Sequence, residues 1–365
     1  MNHQELVDWL FQNGGPAIRY RTATELLPSS DGVDIAKLRE ELLQSQLVKT
    51  WLERFTPGRG IKSLHGNKST TLENVMGKLT DLGCRKGMAE FDQQTSPFRR
   101  WLQDNAERLP IDVHDNASRV WIAVFLARAG YTDEPAVGKV LRNRLETIYD
   151  FARQGIYNIY VNPADYPRMP RNFQSKPLVN PALTRVDNNC LPSIYDIIGL
   201  AAYLPKCGTE DDREKADTII NYILNDRYQR LAPGYGVLRT EDGRYYAIGW
   251  SVNLPGYFGA PSDDTSPHQV TPETKGAFVQ RLVLVGQFPA ARGHPWFVNG
   301  LQHLQGFQTE QGTYLFPRPY LQEKNNGYWV NGACMGLEED RKTKLAIELE
   351  STFWMVMLQS LASAQ

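Results

Sequence analysis

Residues 117–130 read ASRVWIAVFLARAG, where apolar side chains continue almost all the way round a helical projection. Residues 35–55 read IAKLREELLQSQLVKTWLERF, where Leu38, Leu42, Leu43, Leu47, Val48, Trp51 and Leu52 keep to one stripe. A helix apolar on nearly every side has to be enclosed, whereas a single-striped helix keeps a polar face in water. The contrast recurs along the chain: helices expected to begin near residues 17, 71, 116, 192, 274 and 346 are the more apolar, and those near 4, 35, 90, 136, 212 and 295 the more amphipathic. Paired inner and outer helices of this kind predict an all-α (α/α)6 toroid with long rim loops, read as one domain over residues 1–365. A two-domain helical bundle is the alternative. The uneven pitch between inner helices argues against a solenoid, whose repeats are shorter and nearly equal.

Local signals set the expected boundaries. Asn13, Gly14 and Gly15 stop the first helix, and Pro16 opens the second in the first-turn position, where a missing N–H costs nothing. Residues 34–55 are expected to form one amphipathic helix ended by Pro57-Gly58. Ser69 or Thr70 is the expected cap, and Gly83 the expected terminator, of the helix that follows. Residues 98–109 belong to another helix, Asp115 or Asn116 caps the apolar run above, and Glu134-Pro135 begins the next. Residues 157–186, rich in Pro, are expected to be a loop without helix or ladder bonds. Pro192 opens a further helix, and 211–225 is amphipathic.

Residues 228–271 form the longest stretch without helical character, with Tyr235, Tyr245, Tyr246, Trp250, Tyr257 and Phe258 interleaved with glycines. A loop of that length in a compact domain is usually functional or disordered, and the aromatic load favours an ordered loop over a cavity.

The charge balance is even, 40 Lys plus Arg against 41 Asp plus Glu, so no basic excess points to nucleic acid or an anionic membrane. Cys84, Cys190, Cys207 and Cys334 are far apart and match no zinc or disulfide spacing, which predicts reduced, partly buried thiols. The N-terminus MNHQELVDWLFQNGGP lacks the apolar run of a secretory signal, and no run reaches the length of about 18 apolar residues that a membrane span needs. A soluble, cytoplasmic, bacterial-type protein is expected.

In GFQTEQGTYLFPRPY (306–320), Gln308 or Gln311 with Gly312 and Tyr314 resembles the Gln-Gly-aromatic repeats of terpene cyclases. PAIRYRTATELL (16–27) and HGNKSTTLENVMGKLTDLG (65–83) are similar to segments of uncharacterised bacterial proteins described as prenyltransferase or squalene-oxidase repeat proteins. The resemblance implies the toroid more than the chemistry. The Asp-x-Asp-Asp acid of a class II cyclase is absent. Asp211-Asp212 and Asp263-Asp264 are only pairs, without the Asp-Asp-x-x-Asp that holds magnesium and diphosphate, and the cysteines have no histidine at a spacing that suggests a zinc set. No metal or cofactor is therefore expected.

The candidate catalytic residues are Asp263, Asp264 and His268, with Tyr246 as a second proton donor. Crowded carboxylates push one pKa upward and an imidazole shuttles protons, although an acidic pair in a Pro- and Gly-rich loop equally fits turn capping. His65, beside Gly66 and followed by Glu73, joins Asp187, Tyr195, Tyr235, Tyr245, Trp250, Tyr328 and Trp329 as candidate substrate-binding residues. Arg119 and Glu348 or Glu350 are charges in apolar helices and have to be paired or line a wet cavity. The expected function is binding of a small organic or saccharide molecule, and its transformation by acid/base chemistry, in a polar, aromatic-lined central cavity. The alternatives are an isoprenoid cyclase or prenyltransferase-like enzyme, which needs a dry apolar cavity, and a non-catalytic binding or interaction module.

Overall fold

A computed structural model describes residues 1–27, 32–55, 63–108, 110–111, 113–166, 169–184, 189–240, 243–248, 250–256 and 275–364. The described chain is mostly helical. In chain order the helices are α1 (His3–Asn13), α2 (Pro16–Arg21), α3 (Ile35–Gln44), α4 (Gln46–Glu53), α5 (Leu72–Leu82), α6 (Ala89–Asn105), α7 (Val113–Arg128), α8 (Pro135–Ala152), α9 (Ile194–Cys207), α10 (Glu210–Ile223), α11 (Asp226–Gln229), α12 (Lys275–Val285), α13 (Pro289–Arg292), α14 (Pro295–Gln305) and α15 (Lys344–Ser363). Strands β1 (Tyr160–Val161), β2 (Leu178–Val179), β3 (Gly236–Arg239) and β4 (Tyr245–Ile248) form one small sheet in that order. No helix among the described residues is long and apolar enough to cross a membrane. The chain divides into two compact units, Met1–Pro97 with Val270–Gln365, and Phe98–Gln269.

In the first unit the stripe of residues 35–55 is carried by two helices instead of the single one expected. Ser45 is extended (φ −62, ψ 143) and its Oγ accepts the Val48 N–H at 3.3 Å, so one residue ends α3 and caps α4. The apolar spacing survives the break, which is why periodicity alone does not show it. Gly83 ends α5 in the left-handed region (φ 106), as expected, but the cap is Thr71 in place of Ser69 or Thr70. The Thr71 hydroxyl donates back to the carbonyls of Gly66 and Lys68, which tightens the preceding loop.

Every residue of α5 is buried, Glu73, Asn74, Lys78, Thr80 and Asp81 included. Glu350, wholly buried in α15, is paired to Arg341 through both carboxylate oxygens, so its charge is neutralised inside the fold. Glu348 of the same helix accepts from the Thr313 hydroxyl. The turn at Gly332 (φ 69) lies so close to α12 that a Cβ there would meet the Gly276 carbonyl carbon at 2.2 Å, a position only glycine can hold.

In the second unit α7 begins ahead of Asp115, so that carboxylate lies in the first turn and not at the cap. It accepts the Ile111 N–H at 3.1 Å and pairs with Arg108 and Arg119, and this pairing accounts for the charge in the apolar helix. Helix α6, which runs across the boundary between the units, begins at Ala89, close to the start expected near 90, carries Pro97 inside it and ends at Asn105, short of the expected 109. Ser193 and Asp196 form a capping box at the start of α9, and Asp196 takes both ends of the buried Arg144 fork at 2.8 and 3.0 Å.

The sheet corrects the reading of both long loops. β1 and β2 pair antiparallel within residues 157–186, β2 pairs parallel to β3, and β3 and β4 form an antiparallel hairpin with Val237 opposite Ala247. Two-residue strands leave no alternation to detect. β3 is introduced by Gly234, Tyr235 and Gly236 at φ 70, 63 and 101, an excursion unlike an ordinary strand entry.

Candidate functional site

In the first unit, Asn74 of α5 holds two separate segments together. Its Nδ2 donates to the carbonyls of Gly66 at 3.1 Å, Lys68 at 2.9 Å and Gly327 at 2.9 Å, while its Oδ1 accepts the Trp329 N–H at 2.7 Å. The Gly327 N–H donates to the Asn67 carbonyl at 2.8 Å. These bonds bring the His65 loop against the turn that carries Tyr328 and Trp329. His65 and Tyr328 stack with ring centroids 5.3 Å apart.

Behind the imidazole lies Glu73. Its Oε2 is 2.6 Å from His65 Nδ1, its side chain is 1% exposed and that of His65 is 21% exposed. The second oxygen faces the Val330 N–H at 3.5 Å. A carboxylate buried this deeply requires a donor, and the ring nitrogen supplies one. With the proton on Nδ1, the lone pair lies on the other ring nitrogen, which is the tautomer a general base uses.

The frame around this pair is fully bonded. The Trp329 indole donates to Asp81 Oδ2 at 2.6 Å, and its carbonyl accepts from Gln280 Nε2 at 2.7 Å. Its ring also lies against Gly77, where a Cβ would meet it at 2.4 Å. Lys78, with no exposed surface, donates to Glu323 at 2.7 Å and to the carbonyls of Cys334 and Gly336. Burial pushes the Cys84 and Cys334 thiols up to about 12, which keeps both protonated and removes them as nucleophiles.

In the second unit, aromatic rings gather between α7, α9 and the segment around β4. Tyr195, 2% exposed, makes edge contacts with Trp121 at 5.9 Å, Phe125 at 6.4 Å and Trp250 at 5.7 Å. Trp121 and Trp250 are half-buried. Two turns before Trp121 on the same face of α7, the exposed His114 meets the edge of half-buried Tyr246 at 5.4 Å. Burial alone would push the Asp115 carboxyl up, but the Ile111 N–H and the Arg108 and Arg119 guanidinia outweigh it and hold it below the usual carboxylate range.

The expected site residues therefore separate. His65, Tyr328 and Trp329 come together in one unit, and Tyr195, Trp250 and Tyr246 in the other. Trp329 is a packed strut, 3% exposed, and not an open ring. Tyr235, 1% exposed, has its hydroxyl between Tyr228 at 2.5 Å and the Pro192 carbonyl at 2.6 Å, so it too belongs to the packing. Tyr245 lies beneath the Arg239 guanidinium at 6.0 Å. Asp187, Asp263, Asp264 and His268 lie outside the described residues.

The sequence reading missed His114, although its helical spacing to Trp121 was a usable signal, and it missed Asn74 and Asp81. Open clefts of 650 Å³ beside Asp34 and Glu90 and of 430 Å³ beside Thr132 and Arg142 contain none of these clusters. Among the described residues no group of His, Cys, Asp and Glu could hold a metal ion. Compared with protein-family models, curated proteins and solved structures, the chain matches none of them.

Proposed function

We propose that the protein binds a small polar organic or saccharide molecule beside His65 and acts on it by acid/base chemistry, with His65 as the proton-transferring group, Glu73 orienting and charge-balancing it, and Tyr328 flanking the ligand. The observation that carries this reading is the 2.6 Å contact between a partly exposed imidazole and a fully buried carboxylate. The contact fixes the orientation and tautomer of a ring that solvent can still reach, which is what a general base requires. The chain-level architecture proposed with it is the (α/α)6 toroid. Its support is the completely buried α5 and the nearly enclosed α9 and α15, set against α3 and α10, which keep one polar face.

The test is turnover of a panel of p-nitrophenyl esters, p-nitrophenyl glycosides and sugar lactones by the native protein and by His65→Gln and Glu73→Gln. Loss of the general base should lower kcat by about 10²–10⁴-fold while KM changes little. Turnover of no panel member by the native protein, or equal turnover in both variants, would count against the reading.

A further inference from the structure

We propose that the second unit carries a separate carbohydrate-binding strip, formed by His114 and Trp121 on α7, Tyr195 on α9, and Tyr246 and Trp250 at β4 and just beyond, which takes a neutral disaccharide. His114 and Trp121 lie about 10 Å apart along the helix at 1.5 Å per residue, room for more than one pyranose ring. Each end has its own aromatic contact, His114 with Tyr246 and Trp121 with Tyr195 and Trp250. The floor, Tyr195, is buried, whereas Trp121, Tyr246 and Trp250 are half-buried and His114 is exposed, so these four residues keep surface at solvent above it.

The segment that carries Trp250 is anchored through its backbone. The Trp250 carbonyl accepts the Ile194 N–H at 2.9 Å, which ties the Trp250 backbone to the start of α9 beside Tyr195. Immediately after it, Ser251 Oγ accepts from Gly234, the Val252 N–H donates to the Tyr228 hydroxyl, and the Leu254 N–H donates to Gln229. A backbone anchored in this way loses little conformational freedom on binding.

The polar surroundings select the occupant. Asp115 is held ionised at the same end of α7 between Arg108 and Arg119, with 13% of its side chain and 36% of that of Arg108 exposed. Hydrocarbon laid over that end would desolvate the ion cluster without compensation. A pyranose presents a C–H face to the rings and hydroxyls to the carboxylate and guanidinium, and so satisfies both. An isoprenoid chain satisfies only the rings.

The experiment is isothermal titration of the full chain with cellobiose, maltose and N,N′-diacetylchitobiose, with geraniol as the apolar comparison. At least one disaccharide should bind the native protein, and Trp250→Ala and Tyr246→Ala should each weaken it about tenfold, with partial recovery in Trp250→Phe. Circular dichroism reports whether each variant is folded, and Tyr246→Ala, at a half-buried ring, keeps the test readable if Trp250→Ala fails to fold. Binding of none of the disaccharides, unchanged affinity in folded Trp250→Ala or Tyr246→Ala, or geraniol bound in preference to all three sugars would overturn the strip. A sugar that binds with unchanged affinity in these variants would place its site elsewhere and leave the His65 reading standing.

Discussion

Helices α5 and α7 both read as enclosed, yet they use enclosure in opposite ways. In α5 the polar side chains are buried and bonded inward: Asn74 to three carbonyls and an N–H, Lys78 to a carboxylate and two carbonyls, and Asp81 to an indole. In α7 the paired charges Asp115 and Arg119 lie toward the N-terminal end, Arg128 stands in the last turn, and an aromatic face runs from Phe125 at 1% exposure to half-buried Trp121. The difference shows that a polar residue in a buried helix serves first as a frame. The two proposed sites lie where the frame leaves a group reachable, at His65 in front of Glu73 and along the ring edges of α7.

The sharpest break in this comparison is Asn74→Ala. It strands the Gly327 carbonyl and the Trp329 N–H, leaves the Gly66 and Lys68 carbonyls to Thr71 alone, and should cost about 2 to 4 kcal/mol in urea unfolding. A loss under about 1 kcal/mol would show that the α5 network is incidental. On α7, Phe125→Ala should cost about 3 to 4 kcal/mol, and Trp121→Ala, half-buried, only about 1 to 2 kcal/mol. Equal losses would mean that Trp121 belongs to the core, leaving less ring surface for a ligand.

A smaller effect follows from Glu338, whose carboxyl accepts the Gly15 N–H at 2.8 Å. Burial first, then the like charges of Glu350 and Glu339, push it up from the usual 4.5 to about 7. A carboxyl with a raised folded-state pKa is protonated in both states at low pH, and the unfolded chain ionises first. Stability from this group is therefore present below about 4.5 and is lost as pH rises to about 7. Glu338→Gln should flatten that slope and add about 1 kcal/mol at mildly alkaline pH, allowing for the half-exposed setting of the side chain. An unchanged slope would mean that the folded and unfolded chains ionise this carboxyl alike.

Much of the helical framework was legible because apolar spacing persists over many residues and because Gly83, Pro135 and Pro295 punctuate it. What escaped was short or local. Ser45 breaks a helix without breaking its stripe, and β1 and β2 are too brief to alternate. The β3–β4 hairpin is entered through three left-handed residues in succession. His65 and Glu73 were visible together because they lie close in sequence. Their link to Tyr328 was not, since it depends on Asn74 bridging segments more than 250 positions apart.

The claim that Glu73 fixes His65 as the proton-transferring group is tested most directly by the ring itself. Proton–nitrogen NMR of protein labelled at histidine, recorded at a pH where the ring is neutral, should show the proton on Nδ1, with its resonance shifted downfield by the bond to Glu73. In Glu73→Gln that shift should collapse while the fold persists. A neutral His65 protonated on the other ring nitrogen, or a spectrum indifferent to Glu73→Gln, would contradict the account.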